Sequence, residues 1–457
     1  MKPIKTLKVS ISGVRGVIGD TLKPLLLCRF ARAFATYMGT GSIVVGRDTR
    51  TSGEMVKHAV LSGLLSSGMR VIDVDICPVP TIQFAVRKLQ ARGGIAITAS
   101  HNPAEWNALK FIKASGCFLN AYEAEELLSL YHQEEFNEVG ASRILSLDAY
   151  DCAVEDHLQR ITETIQPPLE PKLKVAVDCC NGAGSVMTPS LLRKLRCEVV
   201  ELNCTPNGYF SRPPEPLPAN LGELCRAVCE HKADIGLAQD ADADRLAIVS
   251  ETGSAIGEEY TLALCTYFVL PREKGTVVVN LSTSRMIDDI AKSFDSRVIR
   301  TKIGEVNVTE RMQEEEAVIG GEGNGGVIYP RVNMARDSFV AVTMIVSLMR
   351  LLGEGHCCKP ISEVTQLFPA YKMTKLRYEI HPHRIPTLLE KLESIYRNEE
   401  VNCLDGLKIN REEGWIHLRA SNTEPVMRVL IEARTQELLR AYEQEVAEQI
   451  EALISKE

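Results

Sequence analysis

Three times in succession this chain runs strand, helix, strand, helix, strand, and that repeat limits the folds open to it more than any other feature. Short β-branched runs over 43–45, 71–76 and 95–98 alternate with helical patterns over 53–67 and 81–89. The order returns at 173–177, 185–195, 198–202, 221–231 and 235–238, then again at 276–279, 285–294, 297–301, 306–315 and 318–319. Such alternation predicts parallel strands joined by right-handed crossover helices. The three copies share a pattern, not residue identities. From 371 the texture changes to a strand over 371–380, a helix over 385–396, a hairpin over 407–420 and a strand over 427–433. A closing helix then carries Leu438, Leu439, Tyr442, Val446, Ile450 and Leu453 on one face. The expected fold class is α/β. Three consecutive similar βαβαβ mixed-sheet domains would span 1–150, 151–253 and 254–369, with a C-terminal α+β domain over 370–457.

Length alone, 457 residues at roughly 150 per domain, points to about three domains, and the distinct tail raises the number to four. Lys plus Arg is 52 against 60 for Asp plus Glu, a net charge of −8. That balance argues against a protein that coats nucleic acid or an anionic membrane, because both need a basic surface. It leaves room for a small phosphorylated ligand in a local basic pocket. The longest apolar run, over 341–352, falls short of the ~18 residues that span a bilayer and is interrupted by Arg350. No apolar stretch follows the lysines near Met1, so no secretory signal and a cytoplasmic location are expected. Fourteen cysteines, including the pairs Cys179-Cys180 and Cys357-Cys358, lack framework or metal spacing and read as reduced packing residues.

Chemistry gathers after the third strand of each copy. There the chain reads Ala99-Ser100-His101-Asn102-Pro103, then Asp240-Ala241-Asp242-Ala243-Asp244-Arg245, then Gly321-Glu322-Gly323-Asn324-Gly325-Gly326. Ligands collect beyond the carboxyl ends of strands in open α/β sheets, so three such loops predict one shared cleft. In an extended segment Asp240, Asp242 and Asp244 would project to one side, where three carboxylates repel unless they share a cation. A hard divalent metal with open positions, Mg²⁺ holding a phosphate, fits that set, and a solvated acidic turn is the plain alternative. A calcium loop is excluded, because Arg245 stands where that loop needs glycine, although Glu251 occupies its twelfth place.

Ser100 next to His101 invites a serine-hydrolase reading, but adjacent side chains rarely meet as nucleophile and base, and no G-x-S-x-G elbow surrounds the serine. It remains either a turn cap before Pro103 or a phosphorylated serine whose dianion would suit the aspartate-bound metal. Arg419, Ser421, Asn422, Thr423 and Arg428 place hydroxyls, an amide and guanidinium groups between two strands of the last domain, a set suited to phosphate. Two further loops, Ser12-Gly13-Val14-Arg15-Gly16 and Gly46-Arg47-Asp48-Thr49-Arg50, are basic; each alone reads as well as an ordinary surface turn, but they occur together with the aspartate loop.

The motif Thr98-Ala99-Ser100-His101-Asn102-Pro103, the loops at 240–245 and 321–326, and the 419–425 segment come in the order seen in the α-D-phosphohexomutases, and the chain resembles that family over essentially its whole length. Gly208-Tyr209-Phe210, Pro214-Glu215-Pro216 and Asn220-Leu221 are smaller echoes. The resemblance implies a heart-shaped, four-domain enzyme that moves phosphate between the 1 and 6 positions of a hexose. Ser100 would be the phosphoserine and a metal ligand, and Asp240, Asp242 and Asp244 would hold one Mg²⁺ per subunit. Arg15, Lys110, His101 and Arg245 would be its catalytic neighbours. Glu322 and Asn324 would select sugar hydroxyls, and Arg419, Ser421, Asn422, Thr423 and Arg428 would grip the phosphate not being transferred. A sugar 1,6-bisphosphate would act as activator, the partners would be small hexose phosphates, and the enzyme would be a monomer or homodimer. Many relatives carry Ser-Gly-His in the sugar loop where this chain has Asn324-Gly325-Gly326, so the imidazole often assigned to proton transfer is missing. That loop, with Gly304-Glu305-Val306-Asn307 and Arg336-Asp337, is similar to the archaeal-type phosphoglucosamine mutase branch, which favours glucosamine phosphates over glucose or mannose phosphates. A non-catalytic sugar-phosphate sensor and a phosphatase are the competing classes; the intact serine and aspartates count against the sensor.

Overall fold

A computed structural model describes residues 7–10, 13–421 and 426–455. It contains two compact units, one built from Met1–Phe268 with Asn324–Thr365 and the other from Val269–Gly323 with Gln366–Glu457.

The first unit contains a seven-stranded sheet in the order Lys8–Ser10, Gly13–Val17, Trp106–Lys113, Gly93–Ile97, Ser42–Arg47, Arg70–Ile76, Leu147–Ala149. Gly93–Ile97, Ser42–Arg47 and Arg70–Ile76 are parallel, and Trp106–Lys113 runs antiparallel to Gly93–Ile97. A second sheet has the order Leu246–Ser250, Ile235–Gln239, Lys174–Asp178, Glu198–Leu202, with the first strand antiparallel to its neighbour and the rest parallel. In the second unit Ile319–Glu322, Val277–Asn280 and Val298–Thr301 repeat that parallel order. Each copy therefore sets its third strand beside its first, and its second strand on the far side. In the first two copies the chain turns back antiparallel after the third strand, so the Ser100 and aspartate loops are turns between strands buried on both faces.

Packing explains the pattern. Ile43, Val45, Ile95 and Ile97 are fully buried beneath Phe30 and Phe34 of helix Pro24–Met38 and Val56, Val60 and Leu64 of helix Gly53–Ser66. Strands covered on two faces cannot alternate with polar residues, which is why they read as continuous apolar runs. The apolar run near 341–352 is the buried helix Ser338–Leu351. Arg350 at its end donates to the carbonyls of Pro171, Pro168 and Leu195 at 2.8–2.9 Å, which makes a charge tolerable there. Among the described residues no helix is long and apolar enough to cross a membrane.

The C-terminal part of the second unit is an antiparallel sheet in the order Lys372–Tyr378, Met427–Ala433, Gly414–Ala420, Leu407–Arg411, Glu400–Asn402. Ile416 and Leu418 share a core with Leu388 and Leu392 of helix Ile385–Ile395 and with Leu439, Val446 and Ile450 of helix Gln436–Ser455. Strand alternation puts Trp415, His417 and Arg419 on the opposite face.

Candidate active site

The site in the first unit is built on the turn after strand Gly93–Ile97. Thr98 Oγ1 accepts the Ser100 N–H at 2.9 Å and donates to Asp48 Oδ2 at 2.7 Å. This draws Ser100 into a left-handed conformation, φ 51°, that costs a residue with a Cβ on the order of 1 kcal/mol. Arg50 holds it there. Its guanidinium donates to the carbonyls of Ser100 (2.7 Å), Asn102 (2.7 Å), Pro103 (2.6 Å) and Trp106 (3.0 Å), and Asp48 pairs with its Nε at 3.0 Å. Both members of that ion pair are buried. The cations of the basic loop at 46–50 are therefore taken up within the protein. Arg50 is committed to four carbonyls, and Arg47 to Glu54 and Asp75 at 3.0 and 3.1 Å.

The three aspartates converge, but by a turn and not by strand alternation. Ala243 is left-handed at φ 57°, and Asp240 Oδ1 accepts the N–H groups of Asp244 and Arg245 at 3.2 and 3.3 Å. The curl brings one carboxylate oxygen from each of Asp240, Asp242 and Asp244 within 4.8 Å of the others, all buried. Each has a cationic neighbour. Lys110 Nζ is 2.8 Å from Asp242 Oδ2, Arg336 Nη2 is 2.6 Å from Asp244 Oδ2, and Arg245 Nε stands 3.9 and 3.8 Å from Asp240 and Asp244. Asp242 Oδ1 and Asp244 Oδ1 are nonetheless buried without a hydrogen-bond partner. Orphaned carboxylate oxygens at that spacing, from an all-oxygen donor set, fit a hard divalent cation.

Ser100 Oγ donates to Asp240 Oδ2 at 3.3 Å and lies 3.4 Å from His101 Nδ1. Arg15 Nη1 donates to Asn102 Oδ1 at 2.6 Å on the same loop. Burial, then the Asp244 and Asp242 charges, raise the Asp240 carboxyl well above the usual range. Burial acts the same way on Asp242, but the Lys110 ammonium, with a hydrogen bond from Asp240 and the Arg336 charge, holds that carboxyl below its ordinary value. Burial, then Arg245 and Arg15, push the His101 imidazole well below its usual range, so it is neutral at pH 7.

The loop at Gly325 and Gly326 is tightly packed. A Cβ at Gly326 would lie 2.4 Å from Arg336 Cδ, so the Arg336 side chain fills the room a residue there would need. Gly325 is left-handed at φ 87°, and its carbonyl accepts the Leu246 N–H at 3.0 Å. Asn324 Oδ1 accepts the Gly326 N–H at 3.3 Å.

In the second unit, Glu322 is buried, and its Oε1 accepts from Asn280 Nδ2 at 2.9 Å and from the Gly304 N–H at 3.0 Å. Arg419 and Arg428 face each other in register across adjacent strands. Arg419 is buried and its Nε has no hydrogen-bond partner. Burial, helped by Arg428, lowers its pKa from the ordinary arginine value, against the Asp405 and Glu322 carboxylates. The Ser421 N–H donates to the Val426 carbonyl at 2.9 Å, and Asn422 and Thr423 lie outside the described residues. The first unit thus brings together Ser100, His101, Lys110, Arg15, Arg245 and the aspartates. Glu322 and the two arginines belong to the second. Sequence reasoning missed the clamp by Arg50 and gave Arg336 no role. The spacing of Asp48 and Arg50 is the only signal for the first, and Arg336 carries none outside three dimensions.

Four domain models of the phosphoglucomutase/phosphomannomutase family match in order: α/β/α domain I over 7–138, domain II over 155–253, domain III over 257–371 and the C-terminal domain over 381–449. A probable phosphoglucosamine mutase of Methanopyrus kandleri is 35% identical over 94% of this chain and 94% of its own. A phosphoglucomutase/phosphomannomutase of Thermococcus kodakarensis is 37% identical over 94% and 95%. Among solved structures, a phosphoglucomutase/phosphomannomutase family protein from Burkholderia thailandensis superposes with a TM-score of 0.86 at 26% identity, covering 97% of this chain and 98% of that one. Full-length matches of this kind, with all four domains in order, mean that the chain belongs to the phosphoglucomutase/phosphomannomutase family and is an intramolecular phosphotransferase acting on hexose phosphates.

Proposed function

We propose that Ser100 is the residue that carries the phosphate, that Asp240, Asp242 and Asp244 hold one Mg²⁺ with it, and that the preferred reaction is glucosamine 6-phosphate to glucosamine 1-phosphate. One observation carries the reading: the Ser100 hydroxyl sits 3.3 Å from Asp240 Oδ2, in a cluster where Asp242 Oδ1 and Asp244 Oδ1 are buried without a hydrogen-bond partner. A bound dication would neutralise the phosphoserine dianion and draw charge from the transferring group.

The protein's own groups do the rest. Phosphoryl transfer asks mainly for in-line positioning and charge neutralisation. As the Oγ–P bond of phosphoserine breaks, a bond forms from the free hexose hydroxyl to phosphorus. The hydroxyl proton leaves and Ser100 Oγ regains one. His101 Nδ1, 3.4 Å from Oγ, is placed to pass that proton on. Lys110 and Arg15 lend positive charge at the same loop. The product, a sugar 1,6-bisphosphate, turns around and returns its other phosphate to Ser100 by the reverse step. Supplied from outside, the same bisphosphate would prime an unphosphorylated enzyme. Glu322 and Asn324 would take sugar hydroxyls in either orientation, and Arg419, Ser421, Asn422, Thr423 and Arg428 the phosphate at rest.

Glucosamine is favoured by the sugar-loop sequence, by the name borne by the Methanopyrus relative, and by a carboxylate at Glu305 or Glu322, either of which would suit an ammonium group. Initial rates on glucosamine, glucose and mannose phosphates, measured side by side with Mg²⁺ and bisphosphate, test it. Glucosamine phosphate should be fastest; if it were the poorest of the three, the substrate assignment would be wrong.

A further inference from the structure

The second unit holds a polar circuit, half-buried at Asp405, Ile303 and Gly304 and buried elsewhere, that the chemistry at Ser100 does not use. His417 is fully buried on strand Gly414–Ala420, two residues before Arg419. Its Nε2 lies 2.7 Å from the Asp405 carbonyl oxygen. A carbonyl can only accept, so Nε2 carries the proton and Nδ1 accepts from the Ser282 hydroxyl at 2.8 Å. From Asp405 the circuit continues, because its Oδ2 accepts the Ile303 N–H at 2.9 Å. The next N–H, of Gly304, donates to Glu322 Oε1 at 3.0 Å. Asn280 Nδ2 donates to the same oxygen at 2.9 Å, and Asn280 Oδ1 accepts the Ser282 N–H at 3.0 Å, which closes the ring.

The same ring reaches Arg419. Gly406, at φ 78°, follows Asp405 in the turn, and a Cβ there would lie 2.2 Å from the Leu418 carbonyl oxygen and 2.8 Å from Arg419 Cβ. The turn that Asp405 shares with His417 therefore packs directly against the base of the Arg419 side chain. At its buried members, His417, Ser282, Asn280 and Glu322, a rearrangement would strand a polar group away from water, and this favours one geometry.

We infer that His417 is a positioning residue, which locks Glu322 and Arg419 at one spacing so that a hexose phosphate is bound as a two-point ligand of fixed length. The inference rests on the substrate-binding roles proposed above for Glu322 and Arg419. Two anchors held at the right separation make the second contact nearly intramolecular, and a looser spacing loses that advantage without weakening either contact alone. A ligand that engages only the phosphate group gains nothing from the lock.

Dissociation constants for glucosamine 6-phosphate and for glycerol phosphate, measured by calorimetry on the whole protein, separate these effects. His417→Leu should weaken glucosamine 6-phosphate about tenfold and leave glycerol phosphate within about twofold. His417→Gln, whose amide can still donate to the Asp405 carbonyl, should recover most of the loss. Ser282→Ala breaks the ring from its other side and should repeat the pattern if the leucine variant folds poorly. Equal weakening of both ligands, or no change in a folded variant, overturns the positioning role. If the wild-type protein binds the two ligands equally, the sugar-binding assignment itself fails, and the inference with it.

Discussion

Arg50 donates to the carbonyl oxygen of Ser100 at 2.7 Å, and three more carbonyls of the same turn share its guanidinium. A serine in the left-handed region persists only where its surroundings over-determine it. Here one buried arginine does so from below, leaving the hydroxyl side toward Asp240.

Removing that clamp should therefore disable chemistry without touching a reacting atom. Arg50→Met leaves the Asp48 carboxylate buried without its cationic partner, and a loss of about 3–5 kcal/mol in stability is expected from thermal or urea unfolding. In protein that stays folded at low temperature, kcat should fall on the order of a hundredfold, since a displaced nucleophile loses in-line geometry. A kcat close to wild type would show that the turn holds itself.

Arg336 and Gly326 form a second testable pair. Gly326→Ala sets a methyl 2.4 Å from Arg336 Cδ, so the arginine must move and loosen its ion pair with Asp244. Overpacking of this sort should cost about 1–3 kcal/mol. Mg²⁺ titration followed by calorimetry should show weaker metal binding, and the more so in Arg336→Met. Unchanged metal affinity in both variants would mean that Asp244 needs no cationic partner.

The pH dependence of stability follows from His417. Burial first, then Lys408 and Arg419, lower its pKa to about 4 from 6.5, with Asp405 acting the other way. Between those values the unfolded chain takes up a proton that the folded protein refuses, so stability falls as pH drops from 6.5 towards 4. The full effect is on the order of 3 kcal/mol. His417→Gln should flatten that part of the stability profile, read from denaturation midpoints at each pH. An unchanged slope would place the titration elsewhere.

Much of this architecture was legible in the residues. Apolar runs such as 43–45 and 235–238 announced strands covered on both faces, and the three loops after the third strands were marked by Ser100, Asp240 and Glu322. What remained hidden depends on partners distant in sequence. Apart from its spacing from Asp48, nothing near Arg50 says that it will serve the carbonyls of Ser100, Asn102, Pro103 and Trp106, so it reads only as part of a basic loop. Alternating aspartates predict the right cluster for the wrong reason, because the left-handed turn at Ala243 leaves no trace in composition. The glycine at 326 reads as a missing histidine until Arg336 is seen to occupy its space.

Transfer of phosphate from Ser100 to sugar is the central claim, and a single-turnover experiment addresses it. The protein, labelled on Ser100 from a labelled hexose bisphosphate and freed of excess, is mixed with glucosamine 6-phosphate and Mg²⁺. The label should leave the protein and appear in glucosamine 1,6-bisphosphate and then in the monophosphates, while Ser100→Ala takes up no label. Label that appears only as inorganic phosphate, or full mutase activity in Ser100→Ala, would contradict the account.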